Sequence, residues 1–536
     1  MTQRQFSIDL SHAGPLSSAL EAILIRVFAS CGHQACFASV PAPALAVTLE
    51  PSLPAASYAI QLDGPCVRVS GADAAGLLAG VGRHLHEALS ADGSYEPGAW
   101  TGQSTPSCVF RGMYFAHNFH NWYREAPIAD IKAYIEDLAL WGLNAIAFPV
   151  GTNPVSPIAD VESTVIPKQI ELMRFARTLG ISAGILTVAN GILDVPEADI
   201  AATPVPDGNP PKRGNVGNRV CPSNPAGLAA ISGNFSRVLN RYADAPIDFV
   251  VAFPYDEGGC GCPDCWPWGA RGYVTVCKEL SRLAKARHPE CTMIAGTWCF
   301  DALGESEGEY SGFDAALRAE PGWCDMVMCD AHGAYPEWPK RHGAPGGLPM
   351  INFSEISMWG RWPWGGSGAN PFPQRLAGIW NESQHLLAGG LPYSEGRFED
   401  INKVTCLSLF WDRNAEALDI VRRYVRRYFS HTHADRIAEA ILTLEATYPT
   451  PGPAKDAAVQ KAHALLTAAD SALPDAVRTS WRWRILLLRS IIDAEAARMG
   501  WTRAPVSEKQ NEAYRELIGL YCAEKALSSL RPPAKA

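Results

Sequence analysis

The chain has 536 residues, 47% hydrophobic and 19% charged, which is the make-up of a folded protein with ample core and length for about three domains. A formal net charge of -9 and the lack of any basic run exclude a nucleic-acid surface, and no stretch is long and apolar enough to span a bilayer. The 15 cysteines lie largely in apolar runs, and Met1–Asp9 lacks the apolar segment of a signal peptide, so the expected setting is a cytoplasm with reduced thiols.

Residues 1–105 read as a small α/β domain. Leu16–Ala29 has the spacing of an amphipathic helix. Alternation over Ala44–Leu49, Tyr58–Leu62 and Val67–Val69 predicts strands, and Ala74–Leu89 predicts a second helix. Residues 91–106 are rich in Gly, Ser and Pro and read as a linker. Over residues 106–412 apolar strands alternate with helices such as Ile128–Trp141 and Pro225–Tyr242. The predicted strands are Phe110–Phe115, Ala145–Pro149, Ser182–Val188, Phe249–Phe253, Met293–Thr297, Met326–Cys329, Pro349–Phe353 and Gly390–Tyr393. Eight is the number a closed (β/α)8 TIM barrel needs, and an α/β chain of this rhythm is expected to form one. Segment 197–220 is a long Pro/Gly/Asn-rich loop after the third strand, the kind that walls a site. Residues 413–536 read as a helical C-terminal domain, with helices over Ala415–Tyr428, His433–Thr447, Ala454–Ala472, Asp475–Met499 and Ser507–Ser528.

In such barrels the chemistry sits at the C-terminal strand tips. The run Phe249–Phe253 ends in Asp256-Glu257 and then Gly258-Gly259. Two adjacent carboxylates repel, which separates their pKa values and holds one proton near neutral pH. Other tips carry Arg111, His117 and Asn118; Asn190; Trp298; Asp330, His332 and Tyr335; Glu355, Trp359 and Trp362; and Tyr393 and Glu395. Acids and tryptophans at most tips, in a chain with 16 Trp, imply a polar, aromatic pocket for a sugar. The expected ligand is an oligosaccharide or glycoside, with no nucleic-acid or membrane partner. Lys212-Arg213, in the long loop, reads as a solvated pair.

Cys260-Gly261-Cys262-Pro263-Asp264-Cys265 follows the acids at once. Thiolates at C-x-C-x-x-C spacing on a tight turn suit zinc if a fourth ligand arrives. Cys221 is the choice, because the loop after the third strand should pass beside the fourth. Such a site is closed and structural. No cofactor is expected for catalysis itself.

Arg111-Gly112-Met113-Tyr114-Phe115, then Ile128–Lys132 and Trp141-Gly142-Leu143-Asn144, resembles the opening of the barrel in family-twenty β-N-acetylhexosaminidases. Asp256-Glu257 resembles their Asp-Glu pair on the fourth strand, and the architectural likeness spans residues 10–411. The resemblance implies substrate-assisted hydrolysis of a terminal β-linked N-acetylhexosamine, the exception to the two-carboxylate scheme. Glu257 would be acid and base, and Asp256 would orient the 2-acetamido group. Tyr335 would bond the acetamido oxygen. Trp298 and one of Trp359, Trp362 or Trp364 would box the ring, while Arg111 and Glu395 would hold hydroxyls at its far edge. The family's Leu-Asp-x-x-Arg after the first strand is replaced by Phe115-Ala116-His117-Asn118-Phe119. The Asp that helps read the 4-hydroxyl is therefore missing, which leans the expectation toward GalNAc over GlcNAc. The domain layout also resembles that of α-glucuronidases, whose inverting scheme would give acid and base roles to Glu257, Asp330 and Glu355. Arg111, Arg361 and Arg397 would then be the cations for a uronate. A non-catalytic carbohydrate-binding barrel is the reading from a different class.

Overall fold

The computed structural model describes residues 3–37, 43–117, 120–150, 161–205, 213, 218–255, 258–331, 334–357, 370–447, 452–501 and 507–522. The N-terminal sheet contains β1 (Gln5–His12), β2 (Gln34–Phe37), β3 (Leu45–Leu49), β4 (Tyr58–Asp63), β5 (Cys66–Gly71) and β6 (Gly102–Ser104), in the order β2-β1-β3-β5-β4-β6. Helices Ser17–Ser30 and Ala74–Ala88 pack their apolar faces on it. β6 lies within the stretch expected to be a linker. Its residues Gly102–Ser104 pair antiparallel with β4, so the polar segment becomes an edge strand.

The barrel follows as predicted. β7 (Phe110–Phe115), β8 (Ala145–Pro149), β9 (Ser182–Val188), β10 (Phe249–Phe253), β11 (Thr292–Gly296), β12 (Met326–Asp330), β13 (Met350–Phe353) and β14 (Leu387–Gly390) are all parallel, and β14 closes onto β7. The last strand is interrupted at Leu391-Pro392, where proline has no N–H to donate, and resumes as β15 (Tyr393–Ser394) beside Tyr114-Phe115. Successive strand residues point to opposite faces. One parity fills the barrel interior: Tyr114, Ala145, Ala147, Leu186, Phe249, Val251, Phe253, Ile294, Met326, Met328, Ile351, Phe353 and Tyr393 form a core of their own. The other parity, including Met113, Phe115, Ile146, Phe148, Val327 and Met350, packs outward beneath the helices.

Helix Asp400–Trp411 packs on β7 and β14 as the last helix of the barrel, and Ala417–Tyr428, Ala434–Ala446, Asp456–Asp470, Asp475–Arg478, Trp481–Arg498 and Glu508–Leu520 form the C-terminal region among the described residues. The single helix expected over Asp475–Met499 is broken after Arg478, and Ser480 caps the new start by accepting from the Trp483 amide. Asp137, on the barrel helix Ile128–Leu140, ties the three parts together. It takes Arg26 of the N-terminal domain at 2.8 Å and Arg482 of the C-terminal region at 2.9 Å. Arg482 also reaches Asp400 at 2.8 Å, and Asp400 accepts the hydroxyls of Tyr134 and Tyr424.

Burial pushes the Asp137 carboxyl up, but Arg26 and Arg482 outweigh it and hold the group below its ordinary 3.8. Its stabilisation is therefore fully present above pH 3.8 and disappears as the pH falls through the lower folded value. Asp137→Asn should cost about 2 kcal/mol in urea unfolding at pH 7, because Arg26 and Arg482 each lose one of two carboxylate partners, Glu136 and Asp400 remaining. The difference from wild type should shrink in acid below that window.

Candidate active site at the mouth of the barrel

The inward parity decides which tip residues face the mouth. On β12 it runs Met326, Met328, Asp330, and Asp330 stands beside inward Phe353 in the parallel register. Beyond β13 it runs Ile351, Phe353, Glu355, and Glu355 bridges to Tyr393. Along the last strand it runs Leu391, Tyr393, Glu395. Three carboxylates thus stand at the inner ends of the sixth, seventh and eighth strands.

Beneath them lies a continuous aromatic floor. Tyr114 and Tyr393 have ring centres 5.3 Å apart, Tyr393 and Phe353 6.1 Å, Phe353 and Phe253 5.1 Å, and Phe253 and Trp298 5.8 Å. Glu355 accepts the Ser357 amide at 2.7 Å and its hydroxyl at 3.0 Å. The Tyr393 hydroxyl donates to Glu395 at 2.9 Å. Burial, then the charges of Glu395 and Glu355, holds that phenol well above its ordinary range, so it remains a proton donor. Tyr114 was not singled out in the sequence. Its even spacing from Phe110 and Gly112 was the available signal.

The loops behind these tips are fixed by buried polar groups. Arg213, fully buried, donates to Glu307 and to Glu309 at 2.9 Å, and lies 3.3 Å from the Tyr255 hydroxyl. Tyr255 donates to Glu309 at 2.5 Å. This corrects the expectation of a solvated Arg213: the long loop turns this cation inward to meet a buried carboxylate. Burial raises the Glu309 carboxyl to about 7, and Arg213 opposes the rise. The loop carrying Glu395 is held by Glu399, which accepts the amides of Glu395 and Gly396 and pairs with fully buried Lys403. Asn402 donates to the carbonyls of Ile356 and Asn370 and accepts the Phe372 amide.

The other expected site residues fall in three groups. Asn118, Asp256, Glu257, His332, Trp359 and Trp362, with Trp364 and Arg361, lie outside the described residues. Trp298, Asp330, Glu355, Tyr393 and Glu395 come together at the mouth. Arg111, His117, Tyr335 and Asn190 do not present free groups there. Arg111 has outward parity at the N-terminal end of β7. Its guanidinium donates to the Cys108 and Gly142 carbonyls, both at 2.8 Å, and stacks on Trp411. Tyr335 is 1% exposed behind the barrel wall, where its hydroxyl points to the sulfur of outward Met350. His117 is buried against Phe148 and Tyr123, and burial lowers its imidazole to about 3, so it is neutral. The Asn190 amide is used up by the Gly259 N–H and the Val220 and Gly259 carbonyls. Arg111, Tyr335 and Asn190 pack in the wall, and the buried Nε2 of His117 has no hydrogen-bond partner among the described residues.

Gly258 and Gly259 now have physical reasons. A Cβ at Gly258 would meet the Pro254 carbonyl at 2.7 Å and Val188 at 2.8 Å, and Gly259 has φ +114°. The chain just beyond Asp256-Glu257 is therefore folded tightly back onto β9. Arg397, a candidate for holding a uronate, instead donates to the Leu520 carbonyl and lies between Trp122 and Trp481.

Two substitutions separate scaffold from mouth. Arg111→Met should cost about 3 kcal/mol of unfolding free energy, since two buried carbonyls lose their donor. Sugar binding by the folded fraction should stay at the wild-type level. Asp330→Asn should have the reverse pattern, with a smaller change in urea unfolding and a loss of affinity for a sugar ligand of about tenfold or more.

No protein-family model matches the sequence, and neither does any curated protein. Solved structures do match in fold. A family GH115 4-O-methyl-α-glucuronidase with specificity for decorated arabinogalactans superposes with a TM-score of 0.60 at 10% identity, covering 98% of this chain and 77% of the other. A family 89 glycoside hydrolase from Clostridium perfringens gives 0.58 at 12% identity, covering 87% and 61%. A mutant Streptomyces plicatus β-hexosaminidase in complex with its product GlcNAc gives 0.54 at 12% identity, covering 82% and 91%. Identities this low show a shared fold: the chain is structurally similar to barrel glycoside hydrolases, including family-twenty β-N-acetylhexosaminidases, and has an α-glucuronidase-like layout.

Proposed function

We propose that the protein is an exo-acting glycoside hydrolase that releases terminal β-linked N-acetylhexosamine, with GalNAc favoured over GlcNAc. The observation that carries a sugar site is the set of three inward carboxylates, Asp330, Glu355 and Glu395, standing over the floor of Tyr114, Tyr393, Phe353 and Trp298. Flat apolar rings suit the C–H face of a pyranose, and carboxylates suit its hydroxyl rim. The fold likeness to enzymes that hold GlcNAc or cleave uronides supports the same class of ligand.

The chemistry is assigned to Asp256-Glu257, the acid pair that follows β10. Glu257 protonates the glycosidic oxygen while the carbonyl oxygen of the 2-acetamido group attacks the anomeric carbon. The C1–O bond breaks and an oxazolinium forms; Glu257 then takes a proton from water as that water opens the ring. Asp256 accepts the acetamido N–H as positive charge develops. Tyr393, inward and protonated, is better placed than Tyr335, and its hydroxyl would turn from Glu395 to donate to the acetamido oxygen. Of the three cations the α-glucuronidase reading would use, Arg111 and Arg397 are committed elsewhere and Arg361 lies outside the described residues.

The test is release of nitrophenol from p-nitrophenyl β-GalNAc, β-GlcNAc and α-glucuronide, beside a Glu257→Gln control. Turnover of an N-acetyl sugar is expected, reduced about 10²–10⁴-fold in the variant. Turnover of the uronide with silence on both amino sugars would overturn the reading. Binding without turnover, unchanged by Glu257→Gln, would mark a carbohydrate-binding barrel.

A further inference from the structure

Four cysteines from two separate loops converge beside the fourth strand. The sulfurs of Cys221, Cys260, Cys262 and Cys265 all lie within 4.8 Å of one another. Cys221 is 3.7 Å from Cys262 and 3.8 Å from Cys265. A tetrahedron with zinc–sulfur bonds of about 2.3 Å has edges of about 3.8 Å. A disulfide needs about 2.05 Å, and all four residues are free thiols. Cys260 and Cys265 are fully buried, Cys221 is 9% exposed and Cys262 is half-buried, so the cluster is nearly closed to water.

We propose that these four thiolates bind one zinc ion as a structural site clamping the loop after β9 to the segment that follows Asp256-Glu257. Ser223 provides an outer contact, its hydroxyl 3.0 Å from the Cys221 sulfur and 3.4 Å from that of Cys262. Asn190 is the matching organic clasp. Its amide joins Gly259 on one strand of the clamp to Val220 on the other, one residue from Cys260 and Cys221 respectively. Four sulfur ligands complete the coordination of zinc and leave no position for water, so the ion positions the loop and takes no part in bond breaking. The assignment is independent of the glycosidase reading: either can fail alone.

The full chain, purified under reducing conditions from zinc-supplemented cells, is analysed for metals, and the ion is then exchanged for cobalt(II). One zinc per chain is expected. The cobalt form should show intense thiolate-to-metal charge transfer and the visible bands of a tetrahedral S4 site. Cys262→Ser, at the half-buried ligand, should change those bands, whereas Cys299→Ser, outside the cluster, should leave them unchanged. If the Cys262 variant does not fold, the wild-type cobalt spectrum decides alone. Protein without metal and with all four thiols open to alkylation in the native state, cobalt bound without sulfur charge transfer, or iron at the four sulfurs would each overturn the assignment.

Discussion

Side-chain alternation in a closed parallel barrel is the constraint on which the rest of the structure depends. Once β14 pairs with β7, every strand residue must face either the enclosed core or the helices. Parity then sorts the tip residues with little freedom left. Asp330, Glu355 and Glu395 share the face of Met328, Phe353 and Tyr393, so they rise from the inner core into the mouth. Arg111 shares the face of Met113 and Phe115, so it is driven under the helices, however suited its guanidinium is to a sugar hydroxyl.

A mouth lined with acids needs its walls held by something other than apolar packing. The structure supplies buried polar anchors one layer back: Arg213 with Glu309 and Tyr255, Lys403 with Glu399, and the amides of Asn190 and Asn402. Each buried charge has an opposite partner and further hydrogen bonds, which is the condition under which burial of ions is tolerated. These anchors fix the backbone that carries the inward carboxylates. At the end of β10, Gly258-Gly259 and Asn190 likewise draw the chain back onto β9.

The barrel was legible because its strands are short apolar runs bounded by polar turns; five of the predicted strands share their first residue with the observed one, and the eighth was split by Pro392. The three-part layout was legible for the same reason. Side-chain direction was harder to read. Arg111 and Tyr335 read as tip residues because they lie in or just beyond a predicted strand, but counting by twos from Met113 and Cys329 puts Arg111 on the wall and Tyr335 near it. Arg213 was unreadable as a buried cation, since its partners Glu307 and Glu309 lie in a loop and helix about ninety residues away. The convergence of Cys221 on Cys260, Cys262 and Cys265 could be anticipated, because loops after neighbouring parallel strands emerge side by side.

The central claim, that the mouth of the barrel is where a sugar sits, is tested most directly by a crystal structure of Glu257→Gln soaked with a β-linked N-acetylhexosaminide. The account predicts the pyranose ring over Tyr114, Tyr393, Phe353 and Trp298, with its hydroxyls on Asp330, Glu355 and Glu395 and its glycosidic oxygen beside residue 257. A sugar bound elsewhere on the chain, or a mouth left empty at a saturating concentration, would contradict it.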